Sequence, residues 1–248
     1  MSDNPVWRES LEIYFNEGHG FAVYFYLLVI IAPVEFLSLY IPSLDAQMWS
    51  GSASLFKVTA VTTLTLIIYF SLRVANQEFA PWRFKSLKSW VREQGVSAAL
   101  IRRGQLAFLC AHAGLSLLLC APLLVWAGAI ARTAPASMAL TFLLLPFYSL
   151  CYGVWGLATL ALWERRLENR QVFIRSLFTA LVILSALFYL PLNPIAFLLA
   201  LLGSQELPAL LLFGVRFSGT AAHLIFHLLL GAVGYALYSW ALQREPGL

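Results

Sequence analysis

The sequence predicts an all-α, polytopic membrane protein, a single transmembrane domain over residues 1–248 with six membrane-spanning helices. Three observations predict it. Hydrophobic residues make up 60% of the 248 and charged residues only 11%, against roughly 45–50% and about 25% in a soluble domain. The apolar residues gather into six runs of about membrane length, which takes roughly 20 helical residues. The basic residues collect in alternate breaks between those runs.

Residues 4–17 are too polar to span. Trp7, Leu11, Tyr14 and Phe15 recur at i, i+4, i+7 and i+8, with Arg8, Glu9, Glu12 and Asn16 between them. That pattern is one apolar stripe on a helix, and its aromatics suit a helix lying in the membrane interface. Gly18 and Gly20 permit a sharp turn into the first span.

The first span covers residues 21–41, interrupted by Pro33 and carrying Glu35. A short polar link leads to the second span, 55–72, whose threonines at 59, 62, 63 and 65 can bond the preceding turn or a neighbouring helix. Residues 73–103 break the hydrophobicity with seven basic residues interleaved with aromatics. Within them, 82–93 reads as an amphipathic basic helix. The third span runs 105–130, with Pro122 late in it, and the fourth 136–163, with Pro146, Gly153 and Gly156 predicting a kink or close packing. A second basic loop over 164–175 precedes the fifth span, 172–190.

Residues 191–218 are apolar, but Pro191, Pro194, Gly203, Pro208 and Gly214 cut them into two pieces of about ten residues. At about 1.5 Å per residue neither piece crosses a core of roughly 30 Å. The prediction there is a re-entrant helical pair containing Pro191, Asn193, Pro194 and Pro208. The sixth span covers 220–242.

Six spans put the N-terminal segment, residues 73–103, the 164–175 loop and the C-terminal tail on one side. That side carries Arg8, Arg73, Arg83, Lys85, Lys88, Arg92, Arg102, Arg103, Arg165, Arg166, Arg170, Arg175 and Arg244. The other side carries Lys57, Arg132 and Arg216. The positive-inside rule then places both termini in the cytoplasm, and the chain is expected in the cell (inner) membrane. The net charge of +4 reports this orientation rather than a nucleic-acid partner.

Four ionisable groups fall inside spans: Glu35, His112, His223 and His227. Such residues are functional candidates. Glu35, about 9 Å below the outer end of its span, and His223 and His227, about 6 and 12 Å into theirs, can share a level. They form a candidate polar cluster near the outer leaflet. Two histidines at i, i+4 with a carboxylate is also a zinc ligand pattern, so a membrane metal or haem redox protein stands as an alternative, as does an anchoring or assembly subunit. His112 enters from the opposite side. Cys110, Cys120 and Cys151 have no metal or disulfide spacing and read as core residues. No nucleotide-binding loop, GxSxG or HExxH motif is present. The chain is read as a non-enzyme that binds no cofactor of its own.

The order of parts resembles the membrane (permease) subunit of type-two ABC exporters. That order is an interface helix, two spans, a basic amphipathic helix, three spans, a broken segment and a last span. In that family a coupling helix after the second span is followed by a turn of proline, hydrophobic residue and serine, then a glycine. Here residues 87–93, Gly95-Val96-Ser97 and Gly104 occupy those places, with Gly95 where proline is usual. The Gly-Thr pair common before the family's coupling helix is missing here. Pro122 and the Pro191-Leu192-Asn193-Pro194 stretch match the family's prolines in the third span and after the fifth. The resemblance implies a permease that pairs with a second copy or a related permease. It implies separate ATPase subunits, which bind ATP and Mg, and export of a lipid-like, polysaccharide, peptide or drug cargo. It makes Trp82, Arg83, Phe84, Leu87, Lys88, Trp90, Val91 and Arg92 the ATPase-coupling residues. The alternative partner for that segment is membrane lipid, since basic residues with aromatics also rest on anionic headgroups.

Overall fold

The computed structural model describes residues 4–16, 21–40, 52–188, 192–212 and 214–243. Six of its helices are long and apolar enough to cross a membrane, and the chain is an all-α multi-pass membrane protein. Pro191, the Gly18–Gly20 turn, most of the link between the first two spans and the end of the tail lie outside the described residues.

Helix α1 (Pro5–Leu11) opens on an Asn4 cap and a proline at its first position, and it continues as a π-helical turn, Glu12–Asn16. The first two spans are α2 (Ala22–Tyr40) and α3 (Leu55–Ala75). Short α4 (Leu87–Gln94) precedes α5 (Ala98–Ile130) and α6 (Pro135–Leu162). The fifth span is one continuous rod: α7 (Leu167–Phe178), a π-helical stretch Thr179–Leu184 and the last turn α8 (Ser185–Leu187). After it come α9 (Pro194–Leu202), strands β1 (Leu210–Leu212) and β2 (Val215–Phe217), and the final span α10 (Gly219–Gln243).

The hub is α3, the most buried of the six spans. It meets α2, α5, α6, α7 and α9. Leu64, Ile67, Ile68 and Leu72 have almost no exposure, as expected of a helix that is apolar on every side. Lipid tails are as apolar as leucine, so close packing and hydrogen bonds between helices, rather than exclusion from water, must hold such a bundle together. The α3–α6 seam supplies both. Ser71 and Ser149 share a 2.6 Å hydrogen bond, and Gly156 lets the α3 backbone touch α6. The outer spans α2 and α10 leave Phe25, Phe36, Leu37, Leu228 and Leu229 exposed, on the faces a bilayer covers.

Four sequence expectations change. First, the third span starts at Ala98 rather than 105 and the fifth at Leu167 rather than 172. Arg102, Arg103 and Arg170 therefore ride on span helices instead of loops. Second, the basic helix begins only at Leu87; Trp82, Arg83 and Phe84 sit in the turn before it. Third, α1 does not simply rest on the membrane. Val6, Ser10, Ile13 and Tyr14 are buried against the protein, and the Asn4 side chain donates to Leu100 O at 2.8 Å, which fixes α1 to the start of α5. Fourth, the described residues of 191–218 hold one short helix and an antiparallel hairpin, with Leu210 opposite Phe217, rather than two helices. Pro208 removes a backbone donor and Gly214 takes a left-handed conformation (φ 80°), so a second helix there has no uninterrupted run.

Candidate functional site

Local chemistry dictates the shape of the basic segment. Arg73 Nε donates to Glu78 at 2.9 Å, and Asn76 donates to the other Glu78 oxygen at 2.9 Å. The two bonds close the turn after α3. The Arg73 guanidinium also lies 4.7 Å from the centre of the Phe79 ring. Ser86 then caps α4, accepting from Ser89 N at 3.1 Å. Gly95 ends it in the left-handed conformation at φ 62°, with Val96 N–H donating back to Trp90 O. This closure needs a residue without a Cβ penalty. Ser97 in turn caps α5, accepting from Leu100 N. Gly95-Val96-Ser97 is thus a C-cap, a buried apolar contact and an N-cap in succession. It leaves no free linker between α4 and the third span.

One face of α4 is committed to the protein. Leu87 and Trp90 are buried among Val6, Val96, Ile101 and Leu160. Lys85 Nζ sits 5.3 Å above the Trp90 ring, and Phe84 packs on Tyr14. Two carboxylates hold the backbone at the start of the helix. Glu164, in the turn between α6 and α7, accepts from Leu87 N–H. Glu9 of α1 accepts from Lys85 N–H at 3.0 Å. Burial pushes the Glu9 carboxyl above the ordinary glutamate value, partly offset by that Lys85 N–H bond and the Lys85 charge. Arg170, buried nearby, lies within electrostatic reach of both Glu78 and Glu164. The other face of α4 is exposed: Val91, Arg92 and Glu93, with Trp82 and Arg83 in the preceding turn. Trp82 is 70% exposed. Of the eight residues expected to couple, Leu87 and Trp90 face inward, Phe84 and Lys88 are half-buried, and Trp82, Arg83, Val91 and Arg92 face out.

The intramembrane ionisable groups divide into three places. His223 Nε2 pairs with Tyr148 Oη at 2.6 Å, and His227 Nε2 with Tyr152 Oη at 3.3 Å. The His227 Nδ1 to His223 O contact, 3.0 Å, makes Nδ1 the donor, so Nε2 accepts from Tyr152. Phe197 of α9 stacks flat on His223 with ring centres 4.0 Å apart. Asn193 caps α9 through Ala196 N and donates to Val182 O at 2.8 Å, tying α9 to the fifth span. His112 pairs instead with Tyr24 at 3.0 Å. Glu35 lies between α2 and α3 beside Thr59. No group of three or more His, Cys, Asp or Glu gathers among the described residues. Glu35, His223 and His227 therefore do not assemble as one ligand set.

Sequence reasoning missed Tyr148, Tyr152, Phe197 and Glu164. A signal existed for the tyrosines, because their i, i+4 spacing on α6 matches that of His223 and His227 on α10. Tyr148→Phe leaves a fully buried imidazole nitrogen without its partner. Its expected cost is about 1–3 kcal/mol, measured as a lower thermal midpoint than that of Tyr26→Phe on the exposed face of α2.

No protein-family model, curated protein or solved structure matches this chain.

Proposed function

We propose that the chain is the permease subunit of an ATP-driven exporter, with α4 as the helix that engages a separate ATPase. The observation that carries this reading is the two-faced anchoring of α4. Its inner face is locked to α1, α5 and the α6–α7 turn. Its outer face offers Val91 and Arg92, with Trp82 in the preceding turn, on the arginine-rich end, which the positive-inside count reads as cytoplasmic. A push on that outer face passes directly into four helices. It reaches α5 through the Val96–Ser97 closure, α6 and α7 through Glu164, and α1 through Glu9. A helix that only rested on lipid headgroups would not need carboxylates from two distant segments at its start.

In this reading the partner binds ATP and Mg²⁺, and this chain supplies the path. A second permease completes that path. The spans show no line of charged residues, which favours a lipid-like or amphipathic cargo over a small ion. The test is co-expression with the genes encoded beside it, followed by purification through the permease and a search for a copurifying ATPase. Val91→Asp and Arg92→Glu are expected to lower ATPase recovery about tenfold or more, the equivalent of roughly 1.4 kcal/mol or more of contact energy, while the permease stays folded. Full recovery with both variants, or no ATPase with the wild type, rejects the reading. Anionic-vesicle binding lost together with undiminished ATPase recovery assigns the outer face to lipid instead.

A further inference from the structure

Two kinds of threonine stand out in the spans. Thr65, Thr141 and Thr159 each donate to the carbonyl four residues back, at 2.6–2.9 Å. This is the ordinary use of a hydroxyl on a membrane helix. Thr59 and Thr63 are both fully buried, yet their hydroxyls have no hydrogen-bond partner. They stand one turn apart, so they share a face of α3. Against that face stands Glu35 of α2, 2% exposed. Its carboxyl lies within hydrogen-bonding reach of the Thr59 hydroxyl, but the geometry leaves Glu35 Oε1 and Thr59 Oγ1 without a completed hydrogen bond. Among the described residues no ion pair includes Glu35.

The third wall is α5. Gly128 of α5 lies against Phe56 of α3. The two helices run in opposite directions, so stepping inward along both brings Cys120 to the level of Thr63. Cys120 is buried and within electrostatic range of the Glu35 carboxyl. One carboxylate and two hydroxyls are therefore enclosed between three spans. Buried polar groups are nearly always partnered, and a carboxylate oxygen and two hydroxyls left without partners along the α2–α3 seam point to a cation as their ligand.

We propose that Glu35, Thr59 and Thr63 bind a small monovalent cation, sodium, toward the end of the bundle opposite the arginine-rich one. The donors are all hard oxygens, which excludes metals that prefer nitrogen or sulfur. Their single negative charge matches a monovalent ion, whereas calcium takes six to eight oxygens and commonly more than one carboxylate. Bound sodium would tie α2 to α3, so separating these spans would require its release. This inference does not depend on what binds α4.

The test uses the purified full-length chain in detergent, with thermal unfolding in NaCl compared with equal choline chloride. Sodium is expected to raise the midpoint saturably, by about 5–10 °C at a hundredfold excess over its dissociation constant. Glu35→Gln should abolish the shift. Thr59→Val should weaken the apparent affinity about tenfold or more, a change equivalent to one good contact. Thr65→Val, whose hydroxyl serves Val61 O, should leave it unchanged. If Glu35→Gln does not fold, Thr59→Val carries the test. Indistinguishable midpoints in the two salts overturn the proposal, as does a sodium shift that survives both variants. A midpoint that follows pH in choline and ignores sodium marks a proton site and also overturns it.

Discussion

Gly156→Leu is expected to prevent the bundle from assembling. A Cβ at Gly156 would lie 2.4 Å from Leu72 O, 2.8 Å from Ala75 Cβ and 3.2 Å from Asn76 N. All three neighbours belong to α3 or the cap that ends it, and two are backbone atoms that cannot rotate away. The α3 and α6 axes would have to separate. That separation breaks the Ser71–Ser149 bond and opens the seam on which the most buried span depends. Overpacking typically costs about 1–3 kcal/mol for added methylenes; alanine should already reach that range, and leucine should exceed it. In size-exclusion profiles of detergent-extracted protein, Gly156→Ala is expected as a folded peak with a lower midpoint. Gly156→Leu is expected as aggregate. Gly114→Ala is the control. Its added methyl meets nothing within 4 Å on α5, and removing a mid-helix glycine gains up to about 1 kcal/mol. Equal behaviour of Gly114→Ala and Gly156→Leu would show that α3 and α6 do not touch there.

The number and order of the spans were legible because composition decides them: a run of about 20 apolar residues has few other stable destinations. The start of two spans was not. Reading a span only from its last charged residue leaves out Ala98–Gly104 and Leu167–Gln171. Yet Ser97 caps the first of these helices and arginines can ride near the end of either. The region after the fifth span was misread for a different reason. Pro194–Leu202 is a helix with a clear Asn193 cap, but the leucines that follow have no helical periodicity once Pro208 and Gly214 interrupt them. The hairpin is what remains. At the candidate site, the existence and amphipathicity of α4 were visible, whereas its orientation was not. Leu87 and Trp90 look as suited to a partner as Val91 does. Only Val6 and Leu160, far away in sequence, decide which side is covered. The ionisable groups show the same limit: depth along a helix can be counted, but the facing helix cannot, so Glu35 went with the histidines instead of Thr59.

Trp90→Asp and Val91→Asp are expected to fail in opposite ways, and the pair tests the assigned orientation of α4 directly. Trp90 is 4% exposed, beneath Lys85 and beside Leu87, Val96 and Leu160. Truncating a buried tryptophan costs about 3–5 kcal/mol, and an aspartate there adds the penalty of a carboxylate without a hydrogen-bond partner. Helix α4 has only eight residues, far below the length at which an isolated helix is stable in water. Its helical state therefore depends on this contact, the Ser86 and Gly95 caps and the two carboxylates at its start. The loss should be local: the segment between Trp82 and Gly95 opens while the spans stay packed. Limited proteolysis should cut Trp90→Asp at Arg83, Lys85, Lys88 or Arg92 and leave wild type intact. Trp90→Phe should restore most of the protection. Val91, 46% exposed, makes no such demand, so Val91→Asp should resist the protease as wild type does. Loss of ATPase recovery without loss of protection is the signature of a docking face; loss of both is the signature of a structural one. Should Trp90→Asp stay protected while Val91→Asp is cut, the inner and outer faces of α4 have been exchanged, and the coupling route through Glu164 and Glu9 falls with them.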